Sequence, residues 1–183
     1  IFQSCQASHR SVDQVTLLAV SKTKAFPLIE QAYEAGQKEF GESYVQEAID
    51  KINALTHVND IIWHFIGPIQ SNKTKLIATH FSWVHSIDRI KIVNRLNEHR
   101  STQDTPLNVC LQVNISGESS KSGVTIDELP ALIDSVTQSE HLVLRGLMAI
   151  PEKKAEKSSY IKMFELFKQL KQQHPTVDTL SMG

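Results

Sequence analysis

Short apolar runs rich in β-branched and aromatic residues alternate with longer segments of helical periodicity along the whole chain. The short runs predict strands, and apolar residues spaced three or four apart predict helices. The seven strands predicted in this way cover residues 15–20, 38–41, 61–67, 83–87, 107–115, 142–150 and 179–182. Their mean spacing of about 27 residues is close to the length of one βα unit. The pattern therefore predicts an α/β fold built around a parallel sheet.

Two of the predicted helices carry specific signals. Thr125 and Glu128 form a capping box, in which each side chain satisfies a backbone N–H at the start of a helix. The clearest apolar stripe lies near the carboxyl end of the chain and consists of Tyr160, Met163, Phe164, Phe167 and Leu170. We expect this stripe to pack on the sheet and the intervening lysines to face water.

The length of 183 residues predicts a single domain, residues 1–183, although single-domain α/β barrels commonly run to about 250 residues. The first residue is Ile1, and the last follows directly on the apolar pair Leu180 and Met182 with one serine between them. We therefore expect a domain that is incomplete at both ends.

The composition limits the classes of binding partner that we expect. Nineteen basic against twenty acidic side chains give a net charge of −1, which supplies no field for a polyanion, so we expect no nucleic-acid partner and no membrane partner. No apolar stretch approaches the ~18 residues that span a bilayer. Two cysteines, Cys5 and Cys110, are too few for a disulfide framework or a structural zinc site. Free thiols are typical of a reducing cytoplasm, which is the predicted location.

Several common catalytic motifs are absent from the sequence. No two glycines lie closer than five residues apart, which excludes the Gly-rich phosphate loops of dinucleotide-binding and Walker-type sites. There is also no G-x-S-x-G, H-E-x-x-H or C-x-x-C motif. His64 and His85 lie within predicted strands among apolar residues, and a hydrogen-bonded core histidine is favoured over a metal ligand for both. We predict no metal site.

Candidate chemistry gathers where the predicted strands end, as parallel α/β sheets require. The side chains there are mostly amines, hydroxyls and amides, which suit an anion or a carbonyl compound better than a sugar bond. Lys22 follows the first strand, where partial desolvation and the neighbouring Lys24 would both lower its pKa and favour attack on an aldehyde. Taken alone, a lysine after a strand is more often a solvated loop charge.

The motifs taken together resemble one family, the pyridoxal phosphate homeostasis proteins. The resemblance covers nearly the whole chain in order and rests on LLAVSKTK (17–24), FGESYVQE (40–47), WHFIGPIQSNK (63–73), VHSID (84–88), VNIS with KSG (113–123), RGLMAIP (145–151) and DTLSMG (178–183). It implies a TIM-like (β/α)8 barrel similar to the N-terminal domain of alanine racemase, here truncated to about seven strands. It also implies that Lys22 holds pyridoxal 5′-phosphate as a covalent Schiff base.

Four more cofactor-binding residues follow from the resemblance. Ser21 precedes the lysine, Met148 lies on a strand beside the cofactor ring, and Ser181 begins the phosphate-binding segment. Ser43 stands where the family motif usually has Asn, and its hydroxyl can still donate one hydrogen bond. The family continues past this motif with an eighth strand that completes the phosphate site, so we expect the sequence to be a fragment.

The resemblance implies a non-catalytic protein of intracellular pyridoxal phosphate homeostasis. We expect it to be a monomer that holds the cofactor and hands it to apo-enzymes that use it. The alternative is an amino-acid racemase dependent on the same cofactor. Racemisation needs proton donors on both faces of the cofactor, and in alanine racemase the second donor comes from another domain and subunit.

Overall fold

The computed structural model describes residues 1–116, 122–151 and 157–183. Seven strands lie in these ranges: β1 Ala19–Val20, β2 Glu39–Glu42, β3 Ile62–Phe65, β4 Trp83–Ile87, β5 Leu107–Gln112, β6 Leu142–Ala149 and β7 Thr179–Met182. The α-helices are α1 Phe2–Ala7, α2 Phe26–Glu34, α3 Val45–Ala54, α4 Thr74–His80, α5 Ile90–Arg100, α6 Leu129–Thr137 and α7 Lys157–Gln173. Short 3-10 turns cover Val12–Gln14 and Ser71–Lys73.

The strands form one parallel sheet in the order β1-β2-β3-β4-β5-β6-β7, with a helix in each connection. The predicted α/β fold is therefore confirmed, and β4 and β7 have the predicted bounds. The first strand is shorter than the sequence pattern indicates, because β1 pairs with β2 at only two positions, Ala19 with Phe40 and Val20 with Gly41.

Contacts between distant strands show that the sheet curls. The His85 ring on β4 and the Ser181 hydroxyl on β7 are 2.8 Å apart. Strands three places apart in a flat sheet would lie about 14 Å from each other, because neighbouring strands are about 4.8 Å apart. The sheet is thus a partly closed barrel, as predicted for a truncated TIM-like fold, and no pairing joins β1 to β7 in the part of the chain that the structure describes.

Side-chain alternation gives the sheet two different faces. The outer face packs against the helices and supplies the apolar core, with Phe40, Phe65, Val84, Leu107 and Leu147 all essentially buried. The inner face carries polar side chains, including Glu39, His64, His85, Gln112 and Ser181. Functional groups can therefore meet inside the curl without disrupting the core.

The helix signals were only partly right. Met163, Phe167 and Leu170 are buried as predicted, but Tyr160 and Phe164 remain 45% and 49% exposed. At about 100° per residue, Phe164 lies about 60° around the helix from Phe167 on the side away from Leu170, outside the sector of the buried residues.

The capping-box bonds also form, although in a different place relative to the helix. The Thr125 N–H donates to the Glu128 carboxylate at 2.9 Å, and the Glu128 N–H donates to the Thr125 hydroxyl at 3.3 Å. These bonds close the turn that precedes α6, which begins only at Leu129.

Candidate functional site

The turn after β1 presents Lys22 at the carboxyl edge of the sheet. The Lys24 N–H donates to the Ser21 carbonyl at 3.0 Å, which makes residues 21–24 a β-turn with Lys22 at its second position. Thr23 has a φ of +63°, a conformation that costs energy for a β-branched residue. A hydrogen bond of 2.5 Å from the Thr23 N–H to Glu47 on α3 holds this strained turn. The position of Lys22 is therefore fixed by contacts of its neighbours.

Lys22 has an amine that is not engaged elsewhere. Its side chain is exposed, and no hydrogen bond or ion pair involves it in the described part of the chain. A primary amine in this state is available to a carbonyl ligand. Lys24, two residues on, is also exposed and lies beside an open groove of about 400 Å³ that Phe26 and Glu47 help to line. Lys22 is not among the residues lining this groove.

A group of four side chains, three of them buried and that of Glu47 half-buried, lies beneath the turn, and we term it the Glu42 cluster. It consists of Ser21, Glu42, Glu47 and Lys51. The Lys51 ammonium donates to the Glu42 carboxylate at 2.7 Å, to the Glu47 carboxylate at 2.6 Å and to the Ser21 carbonyl at 2.7 Å. The Ser21 hydroxyl donates to the same Glu42 oxygen at 2.6 Å. Ser21 is thus a support for the turn, tied to β2 and α3.

The charges of the Glu42 cluster are paired inside the protein. Glu42 is fully buried, and its second oxygen, Oε2, has no hydrogen-bond partner in the described residues. Lys51 is the countercharge that makes this burial possible, and its three bonds use all the donors of its ammonium. The hydrogen bond from Lys51 also lowers the pKa of Glu47. Lys51 is therefore committed to structure.

Sequence reasoning missed the Glu42 cluster. The spacing of Glu47 and Lys51, four residues apart on a helix, was the available signal, but it is read by default as a solvated surface pair. Burial of Glu42 next to Ser21 depends on the pairing of β1 with β2, which the local pattern does not contain.

Ser43 lies on the loop between β2 and α3, next to the loop that follows β3. A Cβ atom added to Gly67 would come within 2.2 Å of the Ser43 carbonyl oxygen, so the two loops touch backbone to backbone. The Ser86 hydroxyl on β4 donates to the Gly67 carbonyl and fixes the second loop from the other side. Ser43 is half-buried, and because β1 pairs with β2, the residues that follow these strands, Ser21 and Lys22 after β1 and Ser43 after β2, lie at the same edge of the sheet.

The other two predicted site residues, Met148 and Ser181, lie on neighbouring strands. They are direct register partners on β6 and β7, and Gln112 on β5 is the register partner of Met148 on its other side. Met148 is buried and Ser181 is half-buried. The structure thus places the predicted site residues in two groups, at the β1–β2 edge and at the β6–β7 edge of the curled sheet.

A second polar feature, which we term the histidine chain, runs along the inner face from Glu39 through His64 and His85 to Ser181. His64 Nε2 contacts the Glu39 carboxylate, and His64 Nδ1 lies 2.9 Å from His85 Nε2. His85 Nδ1 lies 2.8 Å from the Ser181 hydroxyl. The Trp83 ring stacks on His64 with 5.4 Å between ring centroids.

The histidine chain settles how these two residues are satisfied. Both imidazoles are buried and hydrogen-bonded at both nitrogens, so the prediction of hydrogen-bonded core histidines is confirmed. Burial, with a smaller contribution from His64, lowers the pKa of His85 to about 3, which keeps its ring neutral. In residues 1–116, 122–151 and 157–183 no group of three or more His, Cys, Asp or Glu is arranged to hold a metal ion.

The predicted site residues at the two edges of the sheet fit a small carbonyl compound that carries an anionic group. An aldehyde needs an available amine, which Lys22 has. A flat ring can lie on a polarisable thioether such as that of Met148. An anion needs donors, and the Ser181 hydroxyl is one. These are the chemical requirements of pyridoxal 5′-phosphate, so the residues present fit the cofactor implied by the sequence motifs.

None of the helices within the described ranges is both long and apolar enough to cross a membrane.

Comparison with known proteins identifies relatives over almost the whole chain. The family model described as alanine racemase, N-terminal domain, matches residues 3–183. The pyridoxal phosphate homeostasis protein of Escherichia coli K12 is 50% identical over 183 residues, covering 95% of this chain and 77% of that protein. The protein of the same name from Pseudomonas aeruginosa is 52% identical over 184 residues, covering 100% of this chain and 80% of that protein.

Solved structures show the same fold. PipY of Synechococcus elongatus without PLP superposes with a TM-score of 0.87 at 32% identity, covering 100% of this chain and 87% of that chain. The structure of PipY with PLP bound gives a TM-score of 0.81 at 31% identity over the same shares. Alanine racemase of Corynebacterium glutamicum, at 15% identity and a TM-score of 0.70 over 92% of this chain and 48% of that one, is similar in fold.

Proposed function

The chain belongs to the family of the alanine racemase N-terminal domain, and from that premise we propose that it binds pyridoxal 5′-phosphate and serves in homeostasis of this cofactor without catalysis of its own. Relatives that are 50% and 52% identical over nearly all of the chain are named pyridoxal phosphate homeostasis proteins. A solved relative at 31% identity has PLP bound. The geometric observation that carries the proposal is the free amine of Lys22 on a fixed turn.

Lys22 is the residue that we propose as the covalent anchor. When bound, the cofactor supplies an aldehyde that condenses with a primary amine. Of the three lysines in this region, Lys51 has all its donors occupied in the Glu42 cluster. Lys24 is free and belongs to the same turn, but it lines a separate groove. Lys22 combines a free amine with a place outside that groove, directly after β1.

The remaining site residues hold and orient the ligand. We propose that Ser181 donates to the phosphate, that Met148 supports the ring, and that Ser43 contributes its hydroxyl from the loop after β2. Ser21 acts differently, because its hydroxyl is already bound to Glu42 and its carbonyl to Lys51. Its role is to position Lys22.

The biological setting is also part of the proposal. We place the protein in the cytoplasm as a monomer of one domain that captures a reactive aldehyde and passes it to apo-enzymes. A carrier needs reversible capture and no pair of acid–base groups aimed at a substrate, whereas a racemase needs one on each face of the cofactor.

Covalent labelling tests the site. Mixing the protein with pyridoxal 5′-phosphate should give a visible absorption band, and borohydride reduction should leave the cofactor mass on the peptide that contains Lys22. The variant Lys22→Ala should lose both signals, whereas Lys24→Ala, the matched control on the same turn, should keep them. A label on Lys24, or no label at all, would contradict the assignment.

A separate assay distinguishes the carrier from the racemase. The cofactor-loaded protein is incubated with single L-amino acids, and the D-forms are measured by chiral chromatography, with alanine racemase as the positive control. We expect no D-amino acid above the level given by free cofactor. Turnover that disappears in Lys22→Ala would establish the racemase instead.

A further inference from the structure

The histidine chain connects the proposed phosphate contact to a carboxylate on the far side of the curled sheet. Its members lie on β2, β3, β4 and β7, and each joins the next by a hydrogen bond. Holding an anion at Ser181 does not by itself require Glu39, His64 or His85. The arrangement of protons along the chain, however, decides whether the Ser181 hydroxyl can donate.

When both histidines are neutral, the histidine chain has one arrangement of protons. The ionised Glu39 carboxylate only accepts, so His64 carries its proton on Nε2 and accepts at Nδ1. His85 must then donate from Nε2 to His64, which leaves His85 Nδ1 bare. The bare nitrogen accepts from the Ser181 hydroxyl. In this state the hydroxyl proton of Ser181 points at His85, and the hydroxyl oxygen can offer only its lone pairs to a ligand.

One additional proton reverses the direction of the hydrogen bonds between the histidines and Ser181. It arrives at the Ser181 oxygen, the former Ser181 proton passes to His85 Nδ1, and the proton of His85 Nε2 passes to His64 Nδ1. His64 is now an imidazolium paired with the Glu39 carboxylate, and His85 is still neutral. The Ser181 oxygen accepts from His85 and is free to donate its proton outward.

We propose that the histidine chain couples phosphate binding to the uptake of one proton, with Glu39, His64 and His85 as positioning residues that turn Ser181 into a donor. The inference rests on the proposed phosphate contact of Ser181 and deepens it. An anion has no proton to offer, so it is bound well only by the form in which Ser181 donates. In the other form Ser181 would have to leave a buried nitrogen of His85 without a partner.

The charges around the chain favour this role. The low pKa of His85, about 3, places the extra charge on His64, next to the Glu39 carboxylate. Arg145 lies over the Trp83 ring at 4.8 Å and is paired with Asp178, so the two offset each other. Burial raises the pKa of the Cys110 thiol on β5 to about 12, which keeps it neutral. Of these charged groups, Glu39 is the one in direct contact with an imidazole of the histidine chain, that of His64.

Nitrogen NMR of the imidazoles tests the coupling directly in the unmodified protein. The probe is pyridoxine 5′-phosphate, which has the ring and the phosphate but an alcohol where the cofactor has its aldehyde, so no bond to Lys22 can form. At pH 8 its phosphate is already a dianion, because the second pKa of a phosphate monoester is about 6. We expect His85 to carry its proton on Nε2 in the free protein. With the probe bound, the proton should be on Nδ1, and both nitrogens of His64 should be protonated.

Calorimetry in buffers of different ionisation heat supplies a second readout. The wild-type protein should take up about one proton more per bound probe than Ser181→Ala, in which the hydroxyl is missing. Ser181→Ala should also bind the probe about tenfold more weakly, as expected for loss of a hydrogen bond to a charged group. The variant His64→Gln should lose the uptake, whereas His57→Gln should keep it, because His57 is an exposed histidine that is likewise paired with a glutamate.

The outcomes separate the two proposals. Probe binding with wild-type affinity and an unchanged His85 tautomer would overturn the coupling and leave the cofactor site intact. A tautomer change caused equally by pyridoxine, which has no phosphate, would also overturn it. No binding of the probe at millimolar concentration would overturn both the phosphate contact of Ser181 and the coupling.

Discussion

Lys51 neutralises the Glu42 carboxylate in a place where water does not reach it. The Lys51 side chain is 7% exposed, and that of Glu42 is 0% exposed. Lys51→Met leaves Glu42 as a buried charge without a countercharge, so we expect the free energy of unfolding to fall by about 3–5 kcal/mol. Urea denaturation at pH 7 measures this loss.

Two further variants make the Lys51 prediction specific. The double variant Glu42→Gln with Lys51→Met removes both charges and should recover much of the stability. Lys38→Met breaks an ion pair with Asp60 that is exposed on both sides, and it should change stability far less. Equal losses in Lys38→Met and Lys51→Met would disprove the structural role of the Glu42 cluster.

His85 makes stability depend on pH in the acid range. Its pKa is lowered from an ordinary value of 6.5 to about 3 by burial, so the unfolded chain binds a proton that the folded chain does not. Stability from this group is therefore complete above pH 6.5 and is lost as the pH falls toward 3. We expect a loss of about 3 kcal/mol between pH 7.5 and pH 4.5. Urea unfolding across this range should become flatter in His85→Gln and stay unchanged in His57→Gln. An equally steep curve in His85→Gln would assign the dependence to other groups.

At the level of the elements, the pairing of β7 with β6 determines the position of Ser181. A Cβ atom on Gly146 would come within 1.7 Å of the Thr179 carbonyl oxygen, its register partner on β7. Gly146→Ala must therefore push β7 away, and we expect a loss of about 2 kcal/mol or more together with weaker binding of a phosphate ligand. Denaturation and calorimetry check the two parts.

Gly36→Ala is the matched control for that variant. Gly36 has a positive φ of +98°, and a Cβ atom there would meet nothing within 4 Å. The backbone strain alone should cost about 1–2 kcal/mol and leave ligand affinity unchanged. If Gly36→Ala weakened binding as much as Gly146→Ala, the loss would come from general destabilisation and not from the position of β7.

The limits of the sequence pattern are also visible at the level of elements. Strands β4 and β7 have the predicted bounds: Ser82 and Asp88 flank the run of β4, and Asp178 precedes β7. The pattern at residues 15–20 extends further than β1, because β1 pairs with β2 at two positions and an apolar run does not show how many of its residues meet the neighbouring strand. The stripe on α7 was drawn too wide, because periodicity gives the apolar side of a helix but not the width of the surface that meets it.

At the scale of the whole molecule, the proposed ligand joins the two outer strands of the curled sheet. Lys22 follows β1 and Ser181 lies on β7, and within the described residues each of these strands pairs with a single neighbour. Cofactor binding should therefore slow hydrogen exchange at residues 19–22 and 179–182, with little change in β3, β4 and β5. In Lys22→Ala, protection should be lost at β1 first. Uniform protection across the sheet would contradict a ligand held at these two margins.

The sequence by itself determined the alternation of strands and helices, the α/β barrel class and the family, because these depend on local periodicity and on motifs that are continuous in the chain. It also singled out Lys22, since a lysine directly after an apolar strand is visible without a structure. The roles of Lys22, Ser21, Ser43, Met148 and Ser181 toward the cofactor remain predictions.

Only the tertiary structure decided which side chains meet. Ser21 and Lys51 are 30 residues apart, and His85 and Ser181 are 96 apart, yet each pair is joined by a hydrogen bond. The first contact follows from the register of β1 on β2 and the path of α3, and the second from the curl that brings β4 to β7. Neither register nor curl is written in a local pattern, because both result from packing the whole sheet against its helices. The Glu42 cluster and the histidine chain are consequences of that packing.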